Sequence, residues 1–247
     1  MSAEQPGRLA LVGSGEYLEA MASLEASLLG GGTRYVQIPL AAGLESDERY
    51  EYWIELGRTQ AARLGATAVT IRARTRADAL DPALAAQVVG ADLIYLSGGD
   101  PRHLAESLRA TPLWEAIVEA WRRGASLAGC SAGAMILGSV MGRLRAPHAE
   151  PWRGLGVLPG VAILPHFDRV RTWLGDRVRP VPGAALTVGI DELTALVGSS
   201  RSMEPWGQGG CWIVRSTGLE RLVGPLQLSW RLEGEAEPPE LEGPPAG

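Results

Sequence analysis

This chain predicts an α/β fold with a mostly parallel sheet covered by helices on both faces, and three observations carry that reading. Short apolar segments of strand length recur along the chain. Helix-compatible stretches alternate with them, the arrangement that parallel strands require. Two of the apolar segments run straight into glycine turns, at Val12-Gly13-Ser14-Gly15 and at Leu96-Ser97-Gly98-Gly99.

The elements follow in order. Arg8 to Val12 reads as a buried strand, and Arg34 to Pro39 as a second. Glu45 to Leu64 carries the spacing of an amphipathic helix, with Gly65 placed to end it. Ala68 to Ile71 and Ala91 to Leu96 are the third and fourth strands. Pro112 to Arg123 is helical, with proline in the first turn and Gly124 just beyond. A further strand and helix surround Ser131. After Gly142 the texture changes: Arg145 to Gly160, rich in Pro, Gly and Trp, reads as a surface loop near the site. Gly189 to Val197 and Cys211 to Val214 read as strands of a small antiparallel extension.

Composition bounds the rest. A chain of 247 residues with 46% hydrophobic content can bury one substantial core, so residues 1–233 are read as a single domain. Residues 234–247 are Glu, Pro and Gly with little to bury, and read as a disordered tail. A net charge of −5, with both signs spread along the chain, speaks against nucleic acid or an anionic membrane as partner. No apolar run approaches the roughly 18–20 residues of a membrane span. Met1 to Gly7 is polar and short, which reads as no signal peptide, and Cys130 and Cys211 are too few for a disulfide framework. The cytoplasm is therefore the expected compartment, and a homodimer is compatible with these features.

The chemistry concentrates at Gly129-Cys130-Ser131-Ala132-Gly133. A strand running into Gly-x-Ser-x-Gly and then into a helix is a nucleophile elbow, which holds the serine on a strained turn with its hydroxyl exposed. The Ala132 N–H then points to where an oxyanion would form. A second donor is expected from the Gly98-Gly99 turn, which ends the strand preceding the nucleophile strand.

Serine needs a base, and that base an orienting acid. The chain holds three histidines. His103 follows the Gly98-Gly99 turn, where capping or packing suits it, and His148 lies in the Pro-rich loop. His166 closes the apolar run Ile163-Leu164-Pro165, and strand ends at the carboxyl edge of a sheet are where catalytic side chains collect. His166 is the expected base. Glu150 is the only acid between Ser131 and His166, and it sits in the loop. Asp191 or Glu192, inside a strand-like stretch, is the better candidate. The order serine, histidine, acid excludes an ordinary α/β-hydrolase. Arg169 and Arg171, just after His166, suit a substrate carboxylate. Cys130 offers a rival nucleophile of the amidotransferase kind, one position early.

Four segments together resemble the cyanophycinase and dipeptidase E family of serine peptidases: Tyr95 to Asp100, the elbow from Ala128 to Ala134, Leu158-Pro159-Gly160 leading into His166-Phe167, and Gly189 to Leu196. The resemblance implies a flavodoxin-like three-layer sandwich of the class I glutamine amidotransferase type. It also implies a Ser131–His166–Glu192 triad, oxyanion donors at Gly99 and Ala132, a substrate site including Gly98, Asp100, Arg169 and Arg171, and no metal or organic cofactor. The implied reaction is hydrolysis of short acidic peptides, Asp-X or β-Asp-X. Pro101 and Pro165 stand where cyanophycinases carry glutamine, and Arg169 and Arg171 lie one position closer to the histidine than their arginines. Cleavage of a β-aspartyl–arginine polymer is therefore the second expectation, and a non-catalytic binding module the third.

Overall fold

The first strand, β1 (Leu9–Val12), sets the architecture, because every one of its residues is buried and they alternate between two cores. Leu9 and Leu11 face one cluster, and Ala10 and Val12 the other. Three other strands are covered on both faces in the same way, β2 (Arg34–Ile38), β4 (Leu93–Leu96) and β5 (Ser126–Cys130), while β3 (Thr67–Thr70) forms the more exposed edge. Ile94 and Leu96 of β4, for example, point one way while Leu93 and Tyr95 point the other. A strand covered on both faces has no polar side to show, which is why these segments read as continuous apolar runs. The computed structural model describes residues 6–143 and 149–228, apart from the side chain of Asp176.

Helices form the outer layers. On one face lie α1 (Ala22–Leu29) and α2 (Asp47–Arg63). The other carries α3 (Arg76–Ala79), α4 (Pro82–Ala86), α5 (Pro101–Leu108), α6 (Pro112–Arg122) and α7 (Ala132–Leu137). The sequence sets their starts locally. Ser46, Asp100 and Thr111 accept hydrogen bonds from first-turn N–H groups, and Pro101 and Pro112 occupy the first helical position, where no N–H is needed. Leu113, Ile117 and Trp121 make the buried stripe of α6, each stabilising the fold by about 1.5–3 kcal/mol.

The remainder is β6 (Gly138–Met141), β7 (Trp152–Arg153), β8 (Leu158–Leu164), α8 (Phe167–Leu174), β9 (Leu186–Ile190), β10 (Thr194–Gly198), β11 (Ser202–Gly207), β12 (Cys211–Arg215), β13 (Gly218–Arg221) and β14 (Leu226–Gln227). The strands assemble into two sheets. The larger runs β14-β11-β10-β1-β5-β4-β2-β3, parallel from β1 through β3 and antiparallel at its β10-β11-β14 edge. The smaller runs β13-β12-β9-β8-β6-β7, with β6, β8 and β9 parallel.

The α/β class with a mostly parallel central sheet holds, and three local readings are corrected. Gly189 to Val197 is two strands, β9 and β10, which belong to different sheets, and the chain breaks between them at Asp191–Leu193. Leu193 turns there at φ 52°. The stretch 145–160 holds β7 and the start of β8 as well as loop; His148 lies outside the described residues, as does the 234–247 tail. The helix α5, begun by Asp100 and Pro101, was not expected. Among the described residues no helix is long and apolar enough to cross a membrane.

Candidate active site

Ser131 sits between the last residue of β5 and the first of α7 at φ 50°, ψ −108°, a strained conformation for a residue with a side chain. The elbow closes tightly. A Cβ on Gly129 would stand 2.4 Å from the Gly133 carbonyl oxygen, and one on Gly133 would stand 2.2 Å from that of Leu96. Only glycine fits at either position.

His166 follows β8 and is itself left-handed, at φ 48°, ψ 41°. Its Nε2 lies 3.0 Å from Ser131 Oγ, and its Nδ1 lies 2.7 Å from Glu192 Oε1. A carboxylate can only accept, so the imidazole proton belongs on Nδ1 and Nε2 is left to accept from the serine hydroxyl. That is the tautomer a general base requires. The His166 and Glu192 side chains remain 36% and 26% exposed, so the line of three opens to solvent at one side.

The first helical turns of α8 hold the acid in place. Asp168 Oδ1 accepts the Glu192 N–H at 3.0 Å, and Arg169 Nε lies 2.9 Å from Glu192 Oε1. Arg171 donates to both oxygens of Asp191, at 3.2 and 3.1 Å, and stacks over Trp212 with its guanidinium carbon 4.2 Å from the ring centroid. Asp191 also accepts from the Gly210 N–H and from Trp212 Nε1, and is buried. Of the two neighbouring acids, then, Glu192 meets the histidine and Asp191 anchors the turn. Glu150 is exposed on the 149–157 segment.

The remaining expected residues divide. Gly99 adopts φ 140° against Ala41, a conformation glycine alone takes readily, and the Asp100 N–H donates to the Ala41 carbonyl at 2.9 Å. Among the described residues no acceptor engages the N–H of Gly99 or of Ala132. Asp100 Oδ1 caps α5 by accepting from the His103 N–H, and His103 Nε2 meets the Arg74 carbonyl oxygen. His103 is thus a packing residue, and Asp100 is occupied as a cap. The Arg171 guanidinium is committed to Asp191, whereas the Arg169 side chain is 74% exposed beside Glu192.

Cys130 is fully buried. Burial, and the negative charge of Glu16 beside it, push its thiol well above the usual range, so it stays protonated. It donates to Glu16 Oε2 at 3.0 Å, and Glu16 Oε1 accepts the Gly98 N–H at 3.0 Å. The amidotransferase-type use of Cys130 is excluded by this arrangement. Glu16 escaped sequence reasoning; its one signal is a carboxylate directly after the glycine turn that closes β1.

Comparison with known proteins matches residues 9–203 to peptidase family S51. The chain belongs to peptidase family S51. This is the family of the cyanophycinases and dipeptidase E. The chain is 38% identical to a peptidase from an acI-B1 Actinobacterium whose crystal structure superposes with a TM-score of 0.83, covering 91% of this chain and 98% of that one. A putative peptidase E of Listeria monocytogenes EGD-e shares the fold at 18% identity and a TM-score of 0.58, over 83% of this chain and 100% of that one. The cyanophycinase of Synechococcus elongatus is 33% identical over 150 residues, 56% of this chain and 46% of its own. That of Nostoc sp. (strain PCC 7120) is 34% identical over 137 residues, 51% and 46% respectively. The chain thus spans about half the length of the curated S51 relatives it matches.

Proposed function

We propose that this S51 peptidase hydrolyses short peptides carrying an acidic residue on the acyl side, Asp-X or β-Asp-X, through an acyl-enzyme on Ser131. His166 Nε2 takes the hydroxyl proton as Oγ attacks the scissile carbonyl, and Glu192 balances the imidazolium that forms. The Gly99 and Ala132 N–H groups stabilise the tetrahedral oxyanion. His166 then protonates the departing amine and deprotonates the water that releases the acyl group. Arg169, largely exposed beside the triad, offers its outer N–H groups to the substrate carboxylate.

The observation that carries this reading is the unbroken Ser131–His166–Glu192 line at 3.0 and 2.7 Å. The experiment is a dipeptide-library hydrolysis screen read by mass spectrometry, run beside Ser131→Ala. Cleavage of acidic dipeptides by the parent alone supports it, and equal turnover by the two proteins overturns it. A second reading, cleavage of a β-aspartyl–arginine polymer or its fragments, is favoured by the identity to cyanophycinases. Adding the β-aspartyl–arginine polymer to the same panel separates the two.

A further inference from the structure

We propose that Glu16 is a positioning residue that sets the spacing of the two oxyanion donors. It rests on the serine-peptidase reading and adds to it a residue far outside the catalytic motifs. Glu16 lies in the loop after β1, 82 positions from Gly98 and 114 from Cys130, yet its two carboxylate oxygens bind one group from each. Gly98 immediately precedes the donor Gly99. Cys130 immediately precedes the nucleophile and lies two residues before the donor Ala132. One side chain therefore ties together the two turns between which an oxyanion would sit.

Each donor is fixed from both sides. The Gly98 N–H is held by Glu16 and the Asp100 N–H by the Ala41 carbonyl, which leaves the intervening Gly99 N–H with a single orientation. On the elbow, the Cys130 thiol is held by Glu16, the Ser131 N–H by the Val12 carbonyl, and the Ser131 carbonyl by the Met135 N–H. The fit around Gly98 leaves no slack. A Cβ there would lie 2.5 Å from Glu16 Oε1 and 3.3 Å from Ser131 Cβ. The protonated state of Cys130 suits this role, since a thiol can donate to the carboxylate and a thiolate cannot. Donors fixed before reaction need no reorganisation as charge develops, which is the source of their effect on rate.

The test uses a fluorophosphonate, whose phosphoryl oxygen occupies the oxyanion position once Ser131 is modified. Two variants separate reach from charge: Glu16→Gln keeps an oxygen to accept the Gly98 N–H and can turn its amide N–H to the Cys130 sulfur, which then accepts, while Glu16→Asp keeps the charge one methylene short. The expected result is labelling of Glu16→Gln at a rate within about threefold of the parent. Glu16→Asp is expected to be labelled about 100-fold more slowly, the cost of a misplacement of about 1 Å, and to lose kcat on the cleaved dipeptide with little change in KM. A Glu16→Asp protein labelled at the parent rate, or a Glu16→Gln protein as slow as Glu16→Asp, overturns the proposal. So does a fall in melting temperature with the per-site labelling rate intact, because that marks a structural role only. A parent that the probe does not label overturns the serine-peptidase reading itself, an outcome distinct from these.

Discussion

The His166 N–H donates to the Gly13 carbonyl oxygen at 3.3 Å, so the histidine that meets Ser131 is tied to the end of the first strand. The same strand end touches the other two arms of the triad. Val12 accepts the Ser131 N–H at 2.9 Å, and the Gly13 N–H donates to Thr194, two residues beyond Glu192, also at 2.9 Å. A Cβ on Gly13 would stand 2.1 Å from the Asp191 carbonyl oxygen, with backbone on the other side of the clash. Gly13→Ala is therefore expected to destabilise the protein by about 2–4 kcal/mol and to lower kcat in the molecules that remain folded. Urea unfolding with steady-state kinetics checks both; an alanine variant matching the parent would show that the turn has room to move.

Ser131 should show the opposite balance. Ser131→Gly removes the nucleophile, and with it about 10⁴-fold or more of the rate. It also relieves a left-handed residue of its side chain, and is expected to stabilise the fold by about 1 kcal/mol. Ser131→Ala should be equally inactive without that gain. Denaturant midpoints of the two variants, measured side by side, distinguish strain from catalysis.

The two neighbouring acids are separable by substitution. Glu192→Gln should leave stability near that of the parent and lower kcat by about 10³–10⁴-fold, because the imidazole loses the group that orients and balances it. Asp191→Asn leaves the partly buried Arg171 without its counter-charge and should cost about 1–3 kcal/mol, with a much smaller loss of kcat. Reversal of the two patterns would reassign the acid.

Glu25 carries a pH dependence of stability. It is fully buried on α1, accepts from the Tyr35 hydroxyl at 2.8 Å, and burial raises its carboxyl from 4.5 to about 7. Between those values the folded chain keeps a proton that the unfolded chain has released. The group's stabilising contribution is therefore complete below pH 4.5, declines as pH rises through 7, and is absent above. The total amounts to roughly 3 kcal/mol. Glu25→Gln should flatten this slope and be the more stable protein at pH 8. Urea midpoints at pH 5, 6, 7 and 8 test it, and parallel pH profiles for the two proteins would exclude Glu25 as the source.

What the sequence disclosed follows the distance over which each feature is encoded. The elbow was legible because Gly129, Ser131 and Gly133 lie within five residues and no side chain fits at either glycine. His166 was legible because so few histidines compete. Chain chemistry could not choose between Asp191 and Glu192, since their directions depend on where β9 ends, and a strand-like sequence conceals that break. The α5 start was present in Asp100 and Pro101, but Asp100 was read as a substrate contact and Pro101 as a departure from the cyanophycinase pattern. Arg169 and Arg171 were read as facing a ligand; Arg171 is committed to Asp191, and Arg169 meets Glu192 through Nε while its side chain stays exposed. Their partners come from residues about twenty positions onward, and spacing along one helix carries no trace of them. Glu16 was invisible for the same reason at greater range.

The nucleophile rides on the larger sheet, the base on the smaller, and the acid on the turn where the chain crosses from one to the other. Neither sheet alone holds the full set. On the proposed mechanism, a nascent chain that ends before Glu192 holds two of the three groups, and proteolytic competence waits for the turn that joins β9 to β10. Latency during synthesis is thus a property of topology.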